Sequence, residues 1–424
     1  MCSVNLKRIA KINIVFAIYF LLFISNSQAQ ISGCTDPLAA NYNYISTKND
    51  GSCIYNSSTI APTLSFNLAT YLSETSGLIK WDNKLWTHND SEDINIYALD
   101  TLDGNVIRSY PLRGTVNKDW EEISQDAAYI YIGDFGNNQN GNRTDLKILR
   151  IAKNSLLNNS LIIDTIQFSY SDQNNFSPTG SNNSDFDCEA FIVSSDSIFL
   201  FTKQWVNNKT SLYSLSKTPG IHVANLKSIL DVKGLITGAV YLESKRLIVL
   251  SGYSSLLEPF VYLLYDFNGS DYFAGNKRKI SISLPYHQIE GITTTNGLKY
   301  YISNEYFTFP PNISIPQQLH VFDLNSFLEK YFKTLLFTVP ENKIENNIVI
   351  YPNPSTGLLK IESFEGFSDN PTLEVYDYYG KLVLHKYLEN VKNQEIDLSQ
   401  LTHGIYFLRI NYNNKYFNKK IFIR

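Results

Sequence analysis

The amino-acid sequence predicts an all-β protein in which a five-bladed β-propeller is followed by an immunoglobulin-like β-sandwich. Three observations lead to this fold class. Aromatic residues make up 14% of the chain, with 29 Tyr and 25 Phe, and aromatic side chains favour pleated strands. The middle of the chain repeats one pattern of paired strands five times, which indicates propeller blades. The last part alternates short apolar strands with Gly and Pro turns, which indicates a sandwich.

Length and charge narrow the class of protein further. The 424 residues leave room for two or three domains of about 150 residues each. Hydrophobic residues make up 43% and charged residues 18%, so the chain can bury real cores and is not expected to be disordered. The formal net charge is -4. A nucleic-acid partner is therefore not expected, because phosphate binding needs a basic excess.

The first 29 residues have the pattern of a signal peptide. Lys7, Arg8 and Lys11 precede the apolar run 12–24, and the small residue Ala29 marks the expected cleavage point. The run is shorter than the roughly 20 residues that span a bilayer. We therefore expect export, and no transmembrane segment once the signal is removed.

Residues 30–60 are expected to form a small module closed by a disulfide between Cys34 and Cys53. The segment is too short and polar to bury a core, and an exported protein meets an oxidising compartment where such a bridge forms. Cys188 is then left as a buried, unpaired thiol. The Asp and Asn oxygens of the loop would suit either a calcium ion or ordinary turns, and the turn interpretation is favoured. The segment resembles a short module common in secreted Bacteroidetes proteins.

Residues 61–328 contain the repeated pattern. Each repeat opens with an apolar strand, makes a hairpin turn, and continues through further alternating strands; the five openings begin at Ser76, Glu121, Glu189, Thr237 and Glu290. The last repeat lacks a fourth strand, and residues 63–68 are expected to supply it and close the ring. A six-bladed ring is the alternative, if residues 333–339 or the long step after Glu121 contain further strands. Residues 329–345 are expected to be a linker.

The tail, residues 346–424, carries the clearest motifs. They are Tyr351-Pro352-Asn353-Pro354, Gly357, Gly404-Ile405-Tyr406 and the final strand flanked by Lys419 and Lys420. In this order and spacing they resemble the type A C-terminal sorting domain of the Bacteroidetes type IX secretion system. The resemblance implies an immunoglobulin-like sandwich, passage through the outer membrane by the type IX machinery, and a secreted or outer-surface location. Attachment to surface lipopolysaccharide is a further implication.

The repeats also predict a ligand site at one mouth of the propeller channel. The first strand of each blade begins there and its hairpin partner ends there. Stacking the repeats brings Glu121, Glu189 and Glu290 to this mouth from first strands; the second strands contribute Asp134, Lys203 and Asn304. These six residues are the predicted ligand-binding set. The three glutamates are candidate metal ligands, whose hard oxygen atoms would suit Ca²⁺, or Mg²⁺ in a hydrolase, and capping of blade edges is the alternative role.

Two functions remain open from the sequence. The first is a binding or adhesion protein. The second is a metal-dependent hydrolase of an ester, lactone or phosphate, because DWEEI, YIGDFGNN and DCEAF resemble strand openings of gluconolactonase and esterase-like phytase propellers. The sequence has no G-x-S-x-G or H-E-x-x-H motif, so no residue is predicted to be catalytic.

Overall fold

The computed structural model describes residues 30–158, 160–338, 348–363, 371–377, 380–389, 393–412 and 415–424. Most of them lie in strands, which confirms the predicted all-β class. The chain forms two units: the larger contains residues 30–295 and 300–322, and the smaller contains residues 296–299 and 323–424. The predicted signal peptide lies outside the described residues. In the described part of the chain, no helix is both long and apolar enough to cross a membrane.

The strands of the larger unit begin with four short ones and continue in five groups. The first four are β1 (Ser32–Gly33), β2 (Lys48–Asn49), β3 (Thr59–Ile60) and β4 (Leu64–Asn67). The first group is β5 (Thr75–Trp81), β6 (Lys84–Asn89), β7 (Asn95–Leu99) and β8 (Val106–Pro111). The second is β9 (Trp120–Gln125), β10 (Tyr129–Asp134), β11 (Lys147–Ala152) and β12 (Ile163–Tyr170).

The remaining groups follow the same plan. The third is β13 (Asp187–Val193), β14 (Ser197–Lys203), β15 (Thr210–Ser216) and β16 (Gly220–Leu230). The fourth is β17 (Leu235–Leu242), β18 (Leu247–Tyr253), β19 (Pro259–Tyr265) and β20 (Asn276–Ile282). The fifth is β21 (Ile289–Thr294), β22 (Lys299–Asn304) and β25 (Gln318–Asp323). A hairpin that the sequence did not predict, β23 (Phe307–Phe309) and β24 (Ile313–Ile315), lies between β22 and β25.

The first strands of the five groups form a closed ring. Strands β5, β9, β13, β17 and β21 pack side by side in that order, and β21 packs against β5 again. The second and third groups also join at their outer edges, where β12 and β16 pair in parallel, so that they share one eight-stranded sheet. The arrangement is propeller-like: each group places its first strand at the centre and its last at the outside.

Strand β4 closes the fifth group, as the sequence predicts. It pairs antiparallel with β25, and the order of the finished sheet is β21-β22-β25-β4. A strand from near the start of the unit therefore completes the sheet that holds its last strands. This pairing covers the backbone groups that an open edge would leave exposed.

Turn chemistry explains the hairpins between first and second strands. Asp82 and Asn83 link β5 to β6 with φ of 50° and 57°, the left-handed pair of a type I′ turn that suits the twist of a hairpin. Between the groups, large apolar side chains form the core layers. Trp86 and Trp120, for example, are fully buried in the layer shared by the first and second groups.

The N-terminal segment is packed onto the fourth group. Cys34 and Cys53 are disulfide-bonded and Cys188 is free and buried, as predicted. The Asp36 carboxylate accepts hydrogen bonds from the hydroxyls of Tyr55 at 2.8 Å and Tyr265 at 2.5 Å, and β3 pairs in parallel with β20. The segment therefore shares buried polar contacts with the strands of that group.

In the loop between the two cysteines, side-chain oxygens of Asp and Asn stabilise turns by accepting backbone hydrogen bonds. Side chains of Asp36, Asn43, Asn49 and Asp50 each accept a hydrogen bond from the backbone N–H two residues further on. This is the Asx-turn pattern, and it supports the favoured turn interpretation over a calcium site in this loop.

Helices are few among the described residues. Two are α-helical, Lys153–Leu157 and Asn325–Thr338, and two are 3₁₀ turns, Thr70–Leu72 and Glu243–Lys245. The helix Asn325–Thr338 bears on two expectations. It occupies the first part of the predicted linker, whose residues 339–345 lie outside the described residues. It also makes residues 333–338 helical, so the extra strand expected there as one route to a six-bladed ring is wrong.

The smaller unit contains two sheets with one core. Its strands are β26 (Ile348–Tyr351), β27 (Leu358–Ser363), β28 (Thr372–Tyr376), β29 (Leu382–Tyr387), β30 (Asn393–Asp397), β31 (Gly404–Tyr412) and β32 (Lys415–Ile423). One sheet has the order β26-β27-β30 and the other β29-β28-β31-β32. Ile361 of the first sheet and Leu408 of the second belong to the same buried cluster, which confirms a two-sheet packing for the tail.

Candidate functional site

The register of each of the five central hairpins shifts at, or directly after, the position where the sequence placed the start of the repeat. It shifts at Glu189 in β13, at Thr237 in β17 and at Glu290 in β21. In β9 the shift spans Glu121 and Glu122, and in β5 it spans Gly77 and Leu78, directly after Ser76. A bulge leaves a residue unpaired and changes where its side chain points. In this ring the bulges coincide with the three predicted glutamates.

These glutamates line one cavity of about 170 Å³. Its walls are Ser76, Asp90, Glu121, Asn138, Asn182, Glu189, Lys203, Trp205, Tyr253, Gln288, Glu290 and Glu305. Residues from all five groups or the loops between them contribute. The stacking of repeats therefore brought Glu121, Glu189, Glu290 and Lys203 together correctly.

Asp134 and Asn304, the other two predicted residues, do not line this cavity. Asp134 is fully buried and forms ion pairs with Arg143 at 2.8 Å and Lys147 at 2.6 Å. The Asn304 amide nitrogen donates to the carbonyls of Glu305 and Pro316 at 2.8 and 2.9 Å. Both side chains thus have structural partners away from the cavity.

The physical reason is a one-residue offset in the stacking. Lys203 pairs with the residue two before the bulge in its group, whereas Asp134 and Asn304 pair with the residue one before the bulge in theirs. Neighbouring residues of a strand point to opposite faces, so a shift of one residue reverses the direction of the side chain. The positions equivalent to Lys203 are Asp90, Phe135, Tyr253 and Glu305, and three of these four line the cavity.

Ser76 and Thr237, at the two start positions without an acid, have a structural role. The Ser76 hydroxyl donates to the backbone carbonyl of Glu121, and the Thr237 hydroxyl donates to that of Ile289. Each bond joins one first strand to the next strand of the ring. The predicted alternative, that start positions tie blade edges together, therefore applies to these two hydroxyl residues.

Lys203 is the positively charged residue among those that line the cavity. Its ammonium lies 3.1 Å from Glu189 Oε1, 4.6 Å from the ring centre of Trp205 and 5.4 Å from that of Tyr253. Burial opposes the charged form, but Glu189, Tyr253, Glu290 and Asp187 outweigh it and raise the pKa of Lys203 well above its usual value. Lys203 is therefore a permanent positive charge that is already paired with one carboxylate.

Asp90, Asp119 and Glu121 form the tightest group of acids. Their carboxylate oxygens lie within 4.8 Å of one another. Burial, followed by the charges of Asp119 and Glu189, raises the pKa of Asp90 to about 9. Burial and the charge of Asp187 raise the pKa of Asp119 to about 6. Burial and the charge of Glu189 raise the pKa of Glu121 well above its usual value, so three negative charges cannot coexist here without a compensating positive one.

Gly136 makes this close approach possible. A Cβ atom at Gly136 would collide with Glu121 Oε1 and would lie 2.5 Å from Asp119 Oδ2. The carbonyl of Gly136 accepts a hydrogen bond from Arg143 at 2.8 Å, which fixes the loop beside the acids. The motifs DWEEI and YIGDFGNN contain Asp119, Glu121 and Gly136, but the sequence analysis did not predict this contact from them.

Further carboxyl groups surround these three. Burial raises the pKa of Glu305 to about 7, and burial raises the pKa values of Glu290 and Asp187 well above the usual range. Asp187 accepts hydrogen bonds from the Asn137 backbone N–H at 2.5 Å and the Trp205 indole at 2.7 Å. The cavity is thus strongly acidic, with Lys203 as the cation of its wall.

Several solved structures are similar to this chain at low scores. Glutaminyl cyclase from Myxococcus xanthus gives a TM-score of 0.40 at 10% identity and covers 63% of this chain and 98% of its own. A Bacteroides uniformis protein assigned as a 6-phosphogluconolactonase gives 0.29 at 12% identity, covering 75% and 87%. A Thermus thermophilus protein assigned as a glucose dehydrogenase gives 0.35 at 7% identity, covering 61% and 99%. Scores this low transfer no activity to this chain, and no curated protein matches its sequence.

The tail has a clear family match. Residues 349–424 match the family described as the secretion system C-terminal sorting domain, and they include all the motifs that the sequence analysis singled out in the tail. The two-sheet unit at the end of the chain therefore belongs to this family, and the protein is a cargo of the type IX secretion system that is exported to the outer surface or secreted.

Proposed function

We propose that this protein is a five-bladed β-propeller that binds polar ligands outside the cell, in the acidic cavity between its first strands. The five strand groups are the blades, residues 30–60 are an accessory module, and the tail is an immunoglobulin-like sandwich that directs export. The tail can also provide attachment to surface lipopolysaccharide. In this proposal the propeller is responsible for binding or adhesion, and the tail directs export.

The observation that carries this proposal is the cavity itself. Five acidic residues from four of the five strand groups line it, although burial of carboxyl groups is costly and each repeat could have carried a neutral residue. Such a cluster is retained at a cost in stability, which is typical of a binding site rather than of a packing core.

The chemistry of the wall selects the class of ligand. Carboxylates accept hydrogen bonds from hydroxyl and ammonium groups and repel anions. The volume of about 170 Å³ is smaller than the roughly 300–1,000 Å³ of pockets that enclose drug-sized molecules. The cavity therefore suits one end group of a larger ligand, such as a neutral or amino sugar at the end of a polysaccharide.

The test is a glycan array with neutral, amino and acidic sugar termini, followed by calorimetric titration of the best binder. We expect neutral or amino termini to bind, and Glu290→Gln to weaken binding at least tenfold, since it replaces a carboxyl group of the wall by an amide with one oxygen acceptor fewer. Asp103→Asn, an exposed acid in the β7–β8 turn, is the matched control and should bind as the wild type does. Preference for acidic termini, or no loss in the Glu290 variant, would contradict the proposal.

The second candidate is a metal-dependent hydrolase of an ester, lactone or phosphate. The closeness of Asp90, Asp119 and Glu121 favours it, because a metal held by such acids can activate water. Lys203, although paired with Glu189, could bind the negative charge that develops on the substrate. Turnover of a panel of esters, lactones and phosphate esters, abolished by EDTA and by Glu121→Gln, would identify this activity; no turnover in the panel would leave the binding function.

A further inference from the structure

We propose that Asp90, Asp119 and Glu121 together form a binding site for one divalent cation, with Ca²⁺ as the preferred ion. The site lies at the cavity of the proposed function, on which the inference rests for its location. It differs from the set predicted from sequence, because Glu121 is the one member that the two sets share. Asp90 and Asp119 replace Glu189 and Glu290 as ligands.

The geometry fits one ion. Each of the three residues offers an oxygen within 4.8 Å of the other two. Oxygens that bind Ca²⁺ lie about 2.3–2.6 Å from it, so two of them on opposite sides are about 4.6–5.2 Å apart. A single Ca²⁺ can therefore contact all three carboxylates without any of them having to move apart.

Unpartnered oxygens are the second, independent observation. Glu121 is 4% exposed. Among the described residues, neither Glu121 Oε1 nor the buried Asp90 Oδ1 has a hydrogen-bond partner. A buried carboxylate oxygen without a partner costs free energy. Because both residues belong to the group of three, a bound cation could supply the missing partner to both.

The nearby protein cations neutralise the three acids only in part. Lys203 is paired with Glu189. Arg143 lies 3.7 Å from Asp119, but it lies closer to two other carboxylates, 2.8 Å from Asp134 and 3.1 Å from Asp145. Ionisation of all three acids would therefore leave an excess of negative charge that a divalent cation would balance.

The type of ligand atom selects the ion. Three carboxylates are hard oxygen ligands, which suit Ca²⁺, Mg²⁺ or Mn²⁺ better than Zn²⁺ or Cu²⁺. Ca²⁺ accepts 6–8 oxygens in flexible geometry, whereas Mg²⁺ requires a near-ideal octahedron at about 2.0–2.1 Å. Water can complete the shell of Ca²⁺ in the polar cavity, and extracellular fluid supplies this ion to an exported protein.

The test is calorimetric titration of Ca²⁺ and Mg²⁺ into the purified full-length protein, without any organic ligand. We expect one Ca²⁺ per chain with a Kd at or below about 1 mM, the weak limit of extracellular calcium modules, and weaker Mg²⁺ binding. Glu121→Gln and Asp119→Asn should each raise the Kd at least tenfold, because a charged ligand becomes a neutral oxygen. Asp103→Asn should leave the Kd within twofold.

Gly136→Ala provides a second variant that keeps every ligand. Its new Cβ would displace Glu121 and Asp119 from each other, so the Kd should again rise at least tenfold. Gly404→Ala, where the nearest atom to the new Cβ is 3.8 Å away, is the matched control. Circular dichroism of each variant establishes that it is folded before its Kd is compared.

Two results would overturn the proposal: no Ca²⁺ binding to the wild type up to about 10 mM, tenfold beyond that weak limit, or binding that none of the three site variants weakens. Titration of the sugar ligand in EDTA separates this outcome from failure of the proposed function. Sugar binding without Ca²⁺ binding would refute the cation site alone, and Ca²⁺ binding without sugar binding would refute the proposed ligand alone.

Discussion

Glu122, next to the cavity residue Glu121, connects three central strands through its carboxyl group. It is fully buried and accepts backbone N–H bonds from Ile123 at 2.9 Å, from Ala239 at 2.8 Å and from Leu78. These donors belong to β9, β17 and β5. Burial raises the pKa of Glu122, while the three donors act in the opposite direction. One side chain thus holds together first strands from three groups of the ring.

Replacing Glu122 by Gln is expected to lower the free energy of unfolding by about 1–3 kcal/mol. Glutamine has a single oxygen acceptor, so its NH₂ group must face one of the backbone N–H donors and leave it unpaired. The measurement is urea unfolding followed by circular dichroism. Glu92→Gln, at an exposed position, is the control and should change stability by less than about 0.5 kcal/mol. Equal stability of the two variants would show that Glu122 does not hold the ring together.

At the scale of elements, the closing strand β4 depends on a buried histidine. His320 in β25 contacts Ser65 Oγ of β4 at 2.7 Å through Nδ1, and Asn304 Oδ1 of β22 at 2.9 Å through Nε2. Burial, with a smaller contribution from His287, lowers the pKa of His320 to about 3. The neutral imidazole therefore bridges the three strands that complete the fifth group, and its protonation would disturb the closure.

The stability of the closed ring should fall in acid because of His320. The unfolded histidine binds a proton below pH 6.5, whereas the folded one binds it only near pH 3. The contribution of neutral His320 to the free energy of unfolding is thus fully present above pH 6.5. It is lost as the pH falls toward 3, and at pH 4 the loss is about 3 kcal/mol. His320→Gln should remove this component, so urea unfolding at pH 7 and pH 4 should show a smaller loss in the variant.

His222→Gln is the control for that experiment, because His222 lies half-buried on the outer strand β16. Between pH 7 and pH 4, the His222→Gln variant should lose as much stability as the wild type does. An identical pH dependence of the His320 variant and the wild type would show that the closing strand is not sensitive to this imidazole.

At the scale of the whole molecule, the sorting domain and the candidate ligand-binding cavity belong to different units. The sorting domain matches residues 349–424 and has its own buried core. The candidate cavity is lined by residues of the larger unit. Each unit buries its own apolar side chains, so we expect that mutations can change the sorting domain and the candidate cavity separately.

Deleting residues 346–424 should therefore leave a folded larger unit that stays in the periplasm and does not cross the outer membrane. The larger unit retains its five strand groups and its closing strand, but the sorting domain that the type IX machinery recognises is absent. Immunoblots of periplasm and medium from the native host should find the truncated protein in the periplasm, with a circular dichroism spectrum typical of strands. Normal amounts in the medium would contradict the sorting role, and the full-length chain expressed in parallel is the control.

The sequence by itself determined the features that depend on neighbouring residues. Apolar alternation located the strands of all five groups, because a strand with one buried face repeats every two residues. Residues 63–68 were recognised as the closing strand because they match the missing fourth strand of the last group. The spacing of Cys34 and Cys53 and the ordered motifs of the tail likewise needed no knowledge of tertiary contacts.

Only the tertiary structure decided which acids meet. The bulges shift the register of each central hairpin, and a shift of one residue turns a side chain to the opposite face. Asp134 and Asn304 consequently point to structural partners, while Asp90 and Glu305 line the cavity. The contact of Asp119 with Glu121 further depends on Gly136, which lies in the loop after β10. A local sequence pattern does not predict these contacts, because they depend on where strands far apart in sequence come together in space.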